Sequence, residues 1–340
     1  MPLFSIAELK KNCRLHSPQE AEIRVQVERL NRKEASNGKP FYELVLRDAS
    51  EGMTLRAWSD TSAFHSCSDL KAGDFVSITG SFSHNGSFGL DAKGWEVKTL
   101  DAEAISALLE GPEDHRSLLE DAYGRLCQAV EGVNDPRLKA LCEQFLTQHG
   151  TRFRRAAAAR GNHHARRGGL LEHTARMMDA AMALCRVYPE LNRDLMIAGV
   201  LFHDTGKLWE TCPPERGFGI ETELRGELMG HLSIGIELVN MLWRDLSKEG
   251  WEALTPPSEE VRLHLLHLIA SHHGQLEFGS PILPKTPEAT VLHFIDNIDA
   301  RLEMFLAAYR AGAPESREWV KPLGVIPIPQ LQRHPGKPTS

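Results

Sequence analysis

The stretch Ala198–Glu210, AGVLFHDTGKLWE, sets His203 and Asp204 side by side at the end of an apolar run. A helix that carries such a run into a core takes an imidazole and a carboxylate with it. Burying either without a partner is costly, several kcal/mol for an isolated ion. A shared divalent cation removes that cost, and the adjacent pair supplies one neutral nitrogen and one anionic oxygen. A carboxylate in that position is able to bridge two ions about 3.5–4 Å apart.

Working outward, four further segments on or beside apolar helical runs offer ligand types. They are GGLLEHTARM with His173, GELMGHLSIG with His231, SHHG with His272 and His273, and HFIDNIDARLE with Asp296 and Asp299. His264, His267 and His293 read as ordinary core or surface histidines. His273 faces either a metal or a substrate. Asp299 follows Asp296 by three residues, on a neighbouring helical face, and reads as a supporting or substrate-facing carboxylate beside Asp296 as ligand, with the swapped assignment open. Lys207 follows His203 by four residues, so a continuous helix puts both on one face, with the ammonium placed to hold a phosphate oxygen. Glu227, four residues before His231, reads as a carboxylate that orients its second ring nitrogen.

The rest of the chain has two textures. Residues 15–100 carry short alternating segments such as AEIRVQVERL, where Ile23, Val25 and Val27 share a side, punctuated by turns at Asn37-Gly38, Ala72-Gly73-Asp74 and Asn85-Gly86. Five short strands joined this way predict a small antiparallel barrel, with Asn85-Gly86 as a type I′ hairpin signal. Residues 101–150 begin a helical region, and 151–315 continue it with helices near 168–188, 192–209, 225–248, 257–271 and 286–312. Residues 316–340 form a proline-rich tail whose last ten residues read as disordered. The expected fold is therefore multidomain: a small all-β barrel followed by an all-α helical bundle.

Composition limits the partners. The 340 residues are 41% hydrophobic and 25% charged with a net charge of −7, which excludes coating nucleic acid by bulk charge. No apolar run approaches the length of a membrane span, and the N-terminus lacks a signal-peptide pattern. Six scattered cysteines without a CxxC pair suit reduced thiols in a cytoplasm. A local exception to the acidic balance is TRFRRAAAARGNHHARR, with Arg152, Arg154, Arg155, Arg160, Arg166 and Arg167 in one acid-free run leading to His173. A charge run is often only a solvated face; beside a phosphoryl site it suggests a path for a nucleic-acid backbone.

The ordered series H…HD…H…H…D over roughly 160–312 resembles the HD-domain metal-dependent phosphohydrolases, with LFHDTGK carrying the namesake pair. More narrowly, NHHARRGGLLEHT, GELMGHLSIG, SHHGQLEFGSP and PEATVLHFIDNIDAR resemble the YhaM-type 3′-to-5′ exoribonucleases, in which an OB-fold precedes the HD domain. The resemblance implies one metal at His173, His203, Asp204 and Asp296, and a second at His231 and His272 with Asp204 shared. It places His273 near the second metal or the scissile phosphate, and His163 and His164 at a pair of less certain role. The QLEFGSP segment after the paired histidines differs from the GYP segment of HD-GYP phosphodiesterases.

The expected activity is metal-assisted hydrolysis of single-stranded RNA, or DNA, from the 3′ end, releasing nucleoside 5′-monophosphates, with Asp204, Lys207 and His273 as the catalytic candidates. Imidazole-rich ligation favours two manganese ions, with magnesium, cobalt, iron(II) and nickel as other candidates. In the barrel, Phe41, Tyr42, Trp58, Phe82 and Phe88 are the aromatics available to stack on bases, Trp58 and Phe88 foremost, although most such residues serve a barrel core. Two other readings compete: an HD enzyme for a small nucleotide, and a non-catalytic single-strand-binding protein. A homo-oligomer is compatible with all three.

Overall fold

Ile23, Val25 and Val27 alternate along one strand, and all three are fully buried. That period-two pattern builds the first of two units in the computed structural model, which describes every residue except 16–17, 86–88, 162–163, 221, 247–249, 311–316, 318 and 332–340. The first unit runs β1 (Leu3–Phe4), α1 (Ile6–Leu15), β2 (Gln19–Glu34), β3 (Pro40–Arg47), β4 (Gly52–Trp58), α2 (Ser62–Cys67), β5 (Phe75–Asn85) and β6 (Gly89–Thr99). The strands lie in the order β4-β3-β2-β5-β6, each antiparallel to its neighbour, with β1 parallel to β2. Ile6, Leu9 and Cys13 of α1 join the sheet's buried face.

The expected barrel is not closed. Among the described residues no backbone ladder joins the edge strands β4 and β6. The helix α2 packs against both and adds Ala63 and Cys67 to the core, so the edges meet through side chains. The strand order and the helix after the third long strand are those of a partly open five-stranded Greek-key sheet. The β5–β6 hairpin forms, but Asn85 is itself a strand residue paired with Gly89, so it is not the centre of a two-residue turn.

The second unit comprises α3 (Ala102–Glu110), α4 (Glu113–Glu131), α5 (Pro136–Phe153), α6 (Gly169–Val187), α7 (Arg193–Phe202), α8 (Lys207–Glu210), α9 (Leu224–Leu246), α10 (Ser258–Ser271) and α11 (Pro287–Arg310). Asp101, Asp135 and Asn192 cap α3, α5 and α7 by accepting backbone N–H bonds, as their positions before apolar-periodic runs require. One apolar core, including Phe145, Phe153, Leu170, Phe202, Leu238 and Leu268, joins α4 to α11.

Two helices differ from expectation at the residues that matter most. The run expected over 192–209 breaks after Phe202 into a turn, His203 to Gly206, before α8. Lys207 therefore does not share a helical face with His203. The run expected over 225–248 is kinked at Gly230, with φ 69° and ψ 156°, a backbone conformation open to glycine and strained for other residues. The two units touch where the Phe218 amide donates to Gln26 Oε1 at 2.7 Å and the Phe75 and Phe218 rings meet.

Candidate metal centre

The turn after α7 is what brings His203 and Asp204 inward together. Both are buried, at the C-terminal end of a helix whose every residue from Leu195 is buried. Gly206 makes the turn fit: a Cβ there would stand 1.9 Å from the His231 carbonyl oxygen. The start of the second half of α9 is thus pressed against the turn, and His231 is delivered to Asp204. His173 comes from the second turn of α6, His272 and His273 from the end of α10, and Asp296 and Asp299 from α11.

Five imidazoles surround Asp204 in a uniform orientation. Each Nδ1 is engaged by an acceptor behind the ring: His203 with the Val200 carbonyl (2.8 Å), His272 with the Ile269 carbonyl (2.8 Å), His273 with the Phe278 carbonyl (2.8 Å), His173 with Asp299 (2.7 Å) and His231 with Glu210 (3.1 Å). A ring that donates through Nδ1 presents its Nε2 lone pair, the form that binds a metal. Four of the five Nε2 atoms, those of His173, His203, His231 and His272, lie within 4 Å of Asp204 or Asp296.

Asp204 divides them into two sets. Its Oδ2 lies 3.3 Å from His203 Nε2 and 3.9 Å from His173 Nε2, and Asp296 Oδ1 lies 3.3 Å from His173 Nε2. Its Oδ1 lies 3.6 Å from both His231 Nε2 and His272 Nε2. His273 belongs to the second set, its Nε2 3.1 Å from that of His231. With both Nδ1 atoms occupied, those two Nε2 lone pairs face each other, an arrangement that a proton or a cation must relieve. His203 Nε2 and Asp204 Oδ1 are buried with no hydrogen-bond partner among the described residues. Buried polar atoms are rarely left so, and the donor set (imidazole nitrogens around a shared carboxylate) fits two divalent ions.

The electrostatics agree. Against burial, which opposes ionisation, Lys207 and His203 hold the Asp204 carboxyl well below the usual range. Lys207 Nζ donates to Asp204 Oδ2 at 2.6 Å, so its ammonium stands at the site's edge. Burial pushes His272 down to about 4, keeping it neutral. His173 behaves oppositely: burial lowers it, but hydrogen bonds to Asp296 and Asp299 outweigh that and raise it to about 9.

Asp296 and Asp299, whose swap the sequence left open, are distinguished by geometry. Asp296 meets the Nε2 side of His173, and Asp299 stands behind it. Asp299 also accepts from His164 Nε2 at 2.9 Å, and His164 is buried beside Glu172. His164 is therefore a support for the centre's supporting carboxylate. Its neighbour His163 lies outside the described residues, as does Phe88.

Glu210 was not anticipated. It accepts the His231 backbone N–H at 2.6 Å as well as Nδ1, the role expected of Glu227. The kink at Gly230 breaks the four-residue relation of 227 to 231, and Glu227 pairs with Arg160 instead.

The basic run is divided. Arg152 pairs with Glu223, Arg154 with Glu120, Arg160 with Glu227, and Arg166 with Glu172 and Glu303. Arg155 and Arg167 have only backbone carbonyls as partners among the described residues. Of the sheet aromatics, Phe41 and Phe82 are buried; Trp58 is half-buried, stacked on Phe41 at 4.7 Å with Lys39 above its ring.

Residues 170–301 match the family model of the HD domain. The match takes in His173, His203, Asp204, His231, His272, His273 and Asp296, and it indicates a metal-dependent phosphohydrolase. No helix among the described residues is long and apolar enough to cross a membrane.

Proposed function

We propose that this chain is a metal-dependent phosphodiesterase that degrades single-stranded RNA, or DNA of the same form, from the 3′ end to nucleoside 5′-monophosphates. The observation that carries the hydrolytic part is the pair of oxygens on Asp204, each turned to its own set of imidazoles. Two divalent ions, manganese first by the nitrogen-rich donor set, would supply Lewis-acid stabilisation of a phosphoryl group and acidify water. The chain's own part is to fix five rings by their Nδ1 atoms, and to exclude competing protonation at His272 by burial. Lys207, at the edge and bonded among the described residues only to Asp204, is placed to neutralise charge that develops on a phosphoryl oxygen.

The polymer reading rests on the sheet unit ahead of the centre, whose strand order suits single-strand binding, and on the sequence resemblance around His272-His273. A second reading, hydrolysis of a small nucleotide, is favoured by one observation: four of the six arginines on the expected strand path are already paired with carboxylates. One assay separates them. Purified protein with manganese and a 5′-labelled single-stranded RNA yields a ladder shortening from the 3′ end under the first reading. Intact RNA, with phosphate released from a small nucleotide, establishes the second. Asp204→Ala abolishes either activity while leaving strand binding in place; retained activity removes Asp204 from its bridging role.

A further inference from the structure

Away from the metal centre, α6 has a second charged neighbourhood. Its second turn carries His173 toward Asp204, but Leu171, two residues earlier, lines a separate cavity of about 320 Å³. The walls come from α3, α4, the end of α5, the Arg167 loop and, from the sheet unit, Ala49 in the β3–β4 turn. Four guanidinium groups line it: Arg116, Arg154, Arg155 and Arg167.

Two of these are neutralised locally, Arg116 by Glu110 and Arg154 by Glu120, both also in the lining. The other two are not. Arg155 spends Nε on the Pro213 carbonyl (2.9 Å), and among the described residues neither terminal nitrogen has a partner. Arg167 is held by the carbonyls of Pro214, Gly217 and Glu215, a fixed cradle in which no carboxylate pairs with it among the described residues. Burial first, and then the charge of Arg155, push Arg167 down to about 10. Two half-buried cations are costly to maintain on a cavity whose lining carboxylates, Glu110 and Glu120, are already paired with Arg116 and Arg154. Arginine forks pre-set by backbone carbonyls are suited to bidentate recognition of a phosphate. Leu109, Leu119 and Leu171 supply an apolar wall for the organic part of such a ligand.

We infer that this cavity is a binding site for a phosphate ester, held by Arg155 and Arg167 at the junction of the sheet and helical units and separate from the metal centre. The ester comes either from a nucleic-acid strand crossing that junction or from a free nucleotide or phosphate. The inference does not rest on the proposed activity, because its test reads binding.

The test uses the full-length Asp204→Ala protein, so that the metal centre does not contribute turnover, with inorganic phosphate and adenosine 5′-monophosphate as calorimetric probes. One equivalent of each probe binds, and Arg155→Gln or Arg167→Gln in the same background weakens it at least tenfold. Absence of binding, or binding indifferent to both substitutions, overturns the inference. If either arginine variant fails to fold by circular dichroism, Ser106→Trp replaces it. Ser106 is an exposed lining residue of α3, so the indole obstructs the cavity with both cations kept. Phosphate binding must then be lost, and its retention is equally fatal. A single-stranded oligonucleotide identifies the source. A strand ligand shows weaker binding and a shallower salt dependence in the arginine variants, with phosphate as competitor. A free ester shows loss of phosphate binding with oligonucleotide affinity unchanged.

Discussion

Replacing Glu210 by glutamine should weaken one metal ion and spare the other. Glu210 Oε1 accepts the His231 backbone N–H at 2.6 Å, and Oε2 accepts Nδ1 at 3.1 Å. Glutamine keeps the shape but offers one acceptor and one donor where two acceptors are needed. His231 then loses either its ring orientation or its preference for the Nδ1–H tautomer. Removing a carboxylate behind a metal-binding imidazole typically costs 10–100-fold in affinity, about 1.4–2.7 kcal/mol. Glu210 is partly exposed, and solvent screening favours the lower half of that range. The effect should be confined to the set on Asp204 Oδ1, because His173 and His203 are oriented by Asp299 and the Val200 carbonyl. Calorimetric titration of manganese into metal-free protein should resolve one ion with unchanged affinity and a second weakened about tenfold or somewhat more. Equal weakening of both ions, or of neither, refutes the division of the centre into two sets.

Three further outcomes follow from the same geometry. Asp299→Asn should produce the reciprocal result, weakening the ion at His173 by about 10–100-fold and sparing the other; complete loss of that ion, with Asp296→Asn only weakening it, would exchange the roles of the two aspartates. Gly206→Ala drives a Cβ into the His231 carbonyl, and relief of that overlap should cost about 1–3 kcal/mol in denaturant unfolding along with a weaker second ion; wild-type stability would show that the turn and α9 are not rigidly apposed. His173 in the metal-free protein keeps its proton up to about 9, so an ion binding there displaces it below that pH. Affinity should therefore rise about tenfold per pH unit from neutrality and level off near 9, with about one proton released in buffers of differing ionisation enthalpy; a flat profile contradicts the protonated His173–Asp296 contact.

Much of the candidate centre was legible because its candidate ligands sit at helix ends and on apolar helical faces, where an unpaired imidazole or carboxylate has no inexpensive explanation. His173, His203, Asp204, His231, His272 and Asp296 could be read that way, and the structure brings all six together. Backbone direction was less legible. The break after Phe202 and the kink at Gly230 change which side chains meet, so Lys207 bonds to Asp204, and Glu210 takes the place expected of Glu227. The signals were present as a glycine directly before His231 and a second glycine two residues after Asp204, but periodicity alone does not turn a glycine into a kink. The pairing of the arginine run was not legible for a different reason. Apart from Glu172, its counter-charges, Glu120, Glu223, Glu227 and Glu303, are distant in sequence, so an acid-free run in sequence is not an unpaired run in space. In the sheet unit, alternation predicted the strands and their buried faces, whereas closure depends on edge pairing that no local pattern encodes.

The most direct test of a centre built on the two oxygens of Asp204 is the number and position of manganese ions in crystals of the metal-loaded protein, located by anomalous scattering. Two peaks per chain are predicted, one among His173, His203 and Asp296 and one among His231, His272 and His273, with Asp204 between them. A single peak bound by both oxygens of Asp204, or ions located away from these side chains, would contradict it.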